Sequence, residues 1–181
     1  VLKPLHDSAG LKRLVTSTYQ AVSGAGIAGV EELREQIAAG AADCASLARD
    51  GAAVELGEPR KWAVPIGFNA VPFNYVIAED GYTEEEIKLR DETRKILDIP
   101  GLKVSGTCVR VPVFTGHSLS INASFEQPVT PDEARQILAM APGVVLADVP
   151  TPLMAAGQDP TYVGRIRVDE TMENGLALFL S

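Results

Sequence analysis

Between Gly106 and Ser118 runs a β-rich stretch, Gly-Thr-Cys-Val-Arg-Val-Pro-Val-Phe-Thr-Gly-His-Ser, that is ill suited to be one straight strand. Seven residues of strand, the separation of Arg110 from His117, span roughly 23 Å and leave the two on opposite faces. Pro112 lacks the amide that a central strand donates, and Thr115-Gly116 favours a turn. A hairpin or a sharp bend at that place would aim a bidentate carboxylate binder and a titratable imidazole at one pocket. A structural arginine on a strand and a surface histidine at a turn would satisfy the same spacing.

Around this stretch the chain alternates helical and strand signals. Leu11 to Tyr19 reads as a strand that ends in the glycine-rich turn Ser23-Gly24-Ala25-Gly26. Apolar residues at intervals of three and four (Ile27, Val30, Leu33, Ile37, Cys44, Leu47) predict a helix from about Ile27 to Arg49, with Gly51 as its stop. From Val54 to Asp80, Pro and Gly recur among short apolar runs, as expected of irregular chain with short strands. Thr83 with Glu86 forms the pattern of a capping box, opening a helix that runs to Leu97 before Pro100-Gly101. Thr130-Pro131-Asp132-Glu133 opens another, which stops near Pro142-Gly143. Tyr162 to Val168 and Leu176 to Leu180 read as strands joined through Asn174-Gly175. This order predicts an α+β fold with a largely antiparallel sheet covered by helices.

Length and charge narrow the function classes. A chain of 181 residues suits a single domain, residues 1–181, with a real core. With 46% hydrophobic residues it is not a disordered segment. A net charge of −8 disfavours nucleic-acid and anionic-membrane surfaces, and no apolar run of about 18 residues predicts a membrane span. Neither a secretory nor a transit signature is present, so a cytoplasmic location is expected. Two cysteines make no disulfide framework, and two distant histidines without a Cys-x-x-Cys predict no metal site. Cys108 shares a strand face with Arg110, where a cation would lower a thiol pKa. Trp62, the only tryptophan, is expected to pack and not to stack on a cofactor, and His6 is expected to be a surface residue without a role.

Four blocks, in order, resemble aspartate-β-semialdehyde dehydrogenases. Cys108-Val-Arg110-Val-Pro-Val-Phe114, followed by Gly116-His117-Ser118, is similar to the family's active-site run. Ser17-Thr-Tyr19-Gln20-Ala-Val-Ser23-Gly24-Ala-Gly26 is similar to its YQAVSG turn. Glu85, Lys88, Glu92 and Lys95-Ile-Leu97 follow its helix pattern, and Phe68-Asn69-Ala-Val-Pro72 matches more weakly. The resemblance implies a C-terminal domain like that of glyceraldehyde-3-phosphate dehydrogenase, with helices on one face of a mixed sheet and a homodimer formed through the other.

It further implies an oxidoreductase that links β-aspartyl phosphate and NADPH to aspartate-β-semialdehyde, phosphate and NADP, in lysine, threonine and methionine biosynthesis. His117 matches the general acid/base and Gln20 a residue that orients the substrate. Arg110 matches the α-carboxylate binder, Glu85 the amino-group binder and Lys88 a phosphate binder. Ser23, Gly24, Ala25 and Gly26 match the turn beside the nicotinamide. No G-x-G-x-x-G opens a βαβ unit, and no motif of the family's nucleophilic cysteine occurs. The expectation is therefore a domain lacking its N-terminal NADP-binding half and a final C-terminal helix, and inactive alone. A non-catalytic dimerisation module and an N-acetyl-glutamyl-phosphate reductase domain are the alternatives.

Overall fold

A computed structural model describes residues 1–73, 76–78 and 80–181. Its strands are β1 (Leu11–Gln20), β2 (Lys103–Arg110), β3 (Ser118–Phe125), β4 (Val144–Leu146), β5 (Thr161–Val168) and β6 (Gly175–Leu180). They form one six-stranded sheet in the order β2-β1-β3-β6-β5-β4. The β1–β2 and β4–β5 pairs are parallel and the other three antiparallel. The sheet is therefore mixed, and the α+β expectation holds.

Helices α1 (Leu2–Ala9), α3 (Glu84–Leu97) and α4 (Pro131–Ala139) cover one face. Leu5 and Ala9 of α1, Leu97 of α3 and Ala134 and Leu138 of α4 share a buried core with Leu14, Ile121, Ala123, Phe125, Leu176 and Leu178. The period of two explains the sidedness: Ile121 and Ala123 pair with Leu178 and Leu176, and cross-strand partners point the same way. The opposite face carries Ser17, Tyr19, Ser120, Asn122 and Phe179, small and polar except for the aromatic pair. Tyr19 and Phe179 bring their ring centroids within 5.7 Å.

The predicted capping box at Thr83 forms, and the predicted helix start at Thr130 carries one as well. Thr83 accepts from the Glu86 N–H at 3.3 Å and the Glu86 carboxylate accepts from the Thr83 N–H at 2.9 Å. Thr130 and Glu133 make the same reciprocal pair at the start of α4. Asp98, in the left-handed region with φ 57°, ends α3. Helix α5 (Pro152–Ala155) and strand β4 are short elements that the sequence pattern did not announce.

Three expectations need correction. Helix α2 spans Ile27–Gly40, not Ile27 to Arg49; after it the chain makes a 3-10 turn, Cys44–Ala48, in which Cys44 is exposed. The three-and-four spacing runs on through Gly40, a weak helix former. Its bare α-carbon also admits Phe68, whose ring would lie 2.6 Å from an added Cβ. Strands β2 and β3 do not make a hairpin, because each pairs with β1, from opposite sides. Residues 111–117 cross from one side of β1 to the other. His6 is half-buried, and its Nδ1 accepts from the Leu11 N–H at 2.9 Å, which ties α1 to β1.

Helix α2 and residues 51–73 form a second, smaller lobe around Val22, Leu33, Ile66 and Val71. Of the irregular stretch Val54 to Asp80, Asn74, Tyr75 and Glu79 lie outside the described residues. The described remainder is irregular, with isolated bridges at Val71–Arg110 and Ile77–Thr83. Two buried side chains of α2 hold it. The Glu32 carboxylate accepts from the Arg60 N–H at 3.2 Å and the Lys61 N–H at 2.7 Å. Gln36 Oε1 accepts from the Ile66 and Gly67 N–H groups at 2.9 and 2.7 Å.

Candidate active site at the end of the parallel pair

Parallel pairing brings the carboxyl ends of β1 and β2 together, with Gln20 and Arg110 as register partners. The glycine-rich turn leaves β1 there, and the crossing segment leaves β2. Their backbones join: the Val22 and Ser23 N–H groups donate to the carbonyls of Val113 and Phe114 at 2.9 and 3.0 Å. His117, seven residues beyond Arg110, returns to the same spot. The bend does what a straight strand cannot.

The peptide groups of Ala21 hold both side chains. Its N–H donates to His117 Nδ1 at 3.0 Å, and its carbonyl accepts from an Arg110 terminal nitrogen at 2.9 Å. Gly24 lies against the same pair, and an added Cβ would stand 3.4 Å from the Arg110 guanidinium and from His117 Nε2. Arg110 is almost wholly buried and its guanidinium carbon lies 5.4 Å from the Trp62 ring centroid.

Gln20 Nε2 donates to Glu85 Oε1 at 3.3 Å. Glu85 is placed by its neighbour: Glu86 caps α3 with one oxygen and with the other accepts from the Cys108 N–H at 2.9 Å. The cap therefore fixes the first turn of α3 against β2. Gly106 completes the fit, since a Cβ there would meet Leu89 at 2.8 Å. Gln20 with Glu85, and Arg110 with His117 through Ala21, thus form two bonded pairs, brought to one place by the register of Gln20 with Arg110.

Lys88 stands at its margin. Its ammonium is 4.0 Å from Glu85 and its side chain is 57% exposed. It shares a hollow of about 210 Å³ with Glu85 and Glu92, where two carboxylates face one cation. That hollow by itself does not favour an anion. Ser23, Gly24 and Gly26 are exposed beside His117, and Ala25 is half-exposed. Gly26 has φ 82°, a conformation that side chains rarely adopt. The turn presents a low edge of the kind that a flat ring can approach.

Protonation follows from the geometry. A backbone N–H can only donate, so His117 Nδ1 must accept, and the neutral ring carries its proton on Nε2. Burial lowers the His117 pKa, the Arg110 charge lowers it further, and Glu85 opposes them. The ring is a neutral donor near pH 7. Cys108 is wholly buried and burial raises its thiol pKa, which is contrary to activation by Arg110. Among the described residues no group of three or more His, Cys, Asp or Glu side chains converges as a metal site, and no helix is long and apolar enough to cross a membrane.

Two contributors escape sequence reasoning. Ala21 acts through its backbone, for which no residue-type signal exists. Trp62 packs as expected, but its position over Arg110 depends on an irregular loop that no periodicity describes.

Residues 2–181 match the family described as "semialdehyde dehydrogenase, dimerisation domain". The chain is 61% identical to an aspartate-semialdehyde dehydrogenase of Streptomyces akiyoshiensis, over all of this chain and 54% of that protein. It is 57% identical to that of Mycolicibacterium smegmatis, with the same coverage. It thus spans about half the length of these curated relatives. The crystal structure of aspartate semialdehyde dehydrogenase II from Vibrio cholerae, complexed with ASA, superposes with a TM-score of 0.86 at 36% identity. That match covers 99% of this chain and 51% of the solved one.

Proposed function

The chain belongs to the semialdehyde dehydrogenase dimerisation-domain family, and on that premise we propose that it is the substrate-binding and dimerisation half of an aspartate-semialdehyde dehydrogenase. The reaction is the reversible reduction of β-aspartyl phosphate by NADPH to aspartate-β-semialdehyde, with release of phosphate. One observation carries the reading. A single residue, Ala21, holds an arginine and a histidine side by side at the carboxyl end of a parallel strand pair.

Arg110 binds the substrate α-carboxylate, since its planar fork matches two oxygens. Glu85 takes the substrate ammonium, and Gln20, already bonded to Glu85, orients the reacting end. His117 presents Nε2–H to the carbonyl oxygen, polarises it and exchanges its proton. Taking up a second proton breaks the Ala21 bond, so the site favours the neutral donor. Lys88 serves phosphate only with further cations beside it. Ser23, Gly24, Ala25 and Gly26 fit one edge of NADP, because the absent Cβ of Gly24 keeps that edge clear. NADP, when bound, supplies or accepts hydride.

The thiol nucleophile of this chemistry is assigned to the part of the relatives that this chain does not span. Cys44 is exposed on a distant turn, and Cys108 is sealed inside. A homodimer forms across the open sheet face that carries Tyr19, Asn122 and Phe179.

The test joins this chain in frame behind the N-terminal half of the Streptomyces akiyoshiensis relative and follows phosphate-dependent NADPH formation. The joined enzyme should turn over while the chain alone does not. Arg110→Lys should raise KM for the semialdehyde about tenfold or more. His117→Asn should lower kcat by about 10²- to 10⁴-fold with folding retained. Normal kinetics in both variants would remove these residues from the site.

A further inference from the structure

The His117 ring is held at Nδ1 by the Ala21 N–H, but the reach of that ring depends on the backbone on either side of it. On one side Ser118 is 2% exposed, its hydroxyl pairs with that of Ser181, and the β3–β6 ladder begins at Leu119 and Leu180. On the other stands Gly116, with φ 85°. A Cβ there would lie 3.0 Å from the Pro152 carbonyl oxygen, 3.1 Å from its Cα and 3.2 Å from its Cβ. Both the positive φ and the close approach call for glycine, and the body that Gly116 rests against is Pro152.

Pro152 arrives there on a stiff strap. Beyond β4 the Ala147 N–H donates to the Val163 carbonyl at 2.9 Å, and the chain then crosses β5 at Gly164. A Cβ on Gly164 would meet the Ala147 carbonyl oxygen at 1.9 Å and Pro150 Cδ at 2.9 Å, so the crossing needs a bare α-carbon. Gly164 is the register partner of Phe179, which puts the strap on the sheet face opposite the three covering helices. Pro150 is buried, and prolines on both sides of Thr151 hold the backbone in a narrow range of φ. Thr151 caps α5 by accepting from the Met154 N–H at 3.3 Å. No residue of α5 is buried, and Leu153 is 92% exposed, so the turn adds little to the core. Its contact with Gly116 is what it contributes.

We propose that Pro152 is a positioning residue for the reaction: the strap from Ala147 to Ala155 fixes Gly116 and thereby the place of His117 Nε2 over the substrate carbonyl. The proposal rests on His117 being the general acid/base. In the joined enzyme, Pro152→Gly frees the strap and removes the Cβ beside Gly116. It should lower kcat with aspartate-β-semialdehyde about tenfold and change KM less than about threefold, because a small misplacement of a proton donor costs rate and not binding. Pro152→Ala keeps the Cβ and should recover most of that loss. With His117→Asn already in place, Pro152→Gly should lower kcat by less than about twofold, since no imidazole is left to misplace. If Pro152→Gly does not fold, Thr151→Val serves in its place: it removes the cap of α5 and is read in the same two backgrounds.

The His117→Asn variant separates the two readings. If it lowers kcat while the strap variants leave kcat unchanged, the strap only packs and the proposal is overturned. An equal loss with and without the imidazole would also overturn it, as a structural role. If His117→Asn leaves kcat unchanged, the acid/base assignment fails and the proposal falls with it.

Discussion

The sheet with its three helices and the α2 lobe are built on different principles. The first buries sixteen apolar residues, among the described ones, from strands and helices in regular array. The second buries four, and its irregular chain is held by side chains that substitute for a sheet. Backbone N–H groups at residues 60, 61, 66 and 67 find their acceptors on Glu32 and Gln36, not on a neighbouring strand. Apolar area can stabilise a body wherever the pattern repeats. A loop that must carry one side chain to one place needs named partners instead.

The sharpest way to break this contrast is a cavity in the larger core. Phe125 is 2% exposed, and Phe125→Ala should destabilise the whole domain by about 3–5 kcal/mol. Urea unfolding would read this as a lower midpoint in every probe; a loss confined to the α2 lobe would contradict it.

Gln36→Leu probes the other principle. It leaves the Ile66 and Gly67 N–H groups without their acceptor, at about 1–3 kcal/mol per buried group. Amide exchange should quicken around residues 60–67 and stay slow in β3 and β6. Uniform loss across both regions would mean that they unfold as one unit.

The smallest effect concerns His117, at the seam between them. Its folded pKa lies below the usual histidine value, by burial first and Arg110 second. Between the two values the unfolded chain binds more protons, so stability rises with pH across that window and is lost as pH falls through it. The contribution is complete above about pH 6.5, the ordinary histidine value. Melting temperatures taken below and above that pH should differ less in His117→Asn than in the parent. An unchanged difference would show that His117 does not titrate differently on folding.

What the sequence discloses follows the same division. The capping box at Thr83 and the Pro-led helix start at Thr130 are local, four-residue patterns, and both helices begin where expected. Strands β1, β5 and β6 are short runs rich in apolar and β-branched residues, a local signal that the chain discloses without its partners. The apolar spacing overextends helix α2, which ends at Gly40, a weak helix former whose bare α-carbon makes room for Phe68, a residue far along the chain. The site was legible at the level of residue type: an arginine and a histidine separated by a break. How they meet was not, because β2 and β3 flank β1 instead of pairing, and the Ala21 peptide that joins the two side chains leaves no mark in sequence.

The parallel pairing of β1 with β2 also has a consequence in time. Arg13 pairs with Lys103, about 90 positions along the chain. Closing so long a loop forfeits more chain entropy than any hairpin, and contacts of such range slow folding. The lobe and α3 lie within that loop, and β1 has strand neighbours only in β2 and β3, so Gln20 and Arg110 come side by side only when the loop closes. On the function proposed above, the site is assembled only when that long loop closes, which would make ligand affinity a report that β1 and β2 have paired.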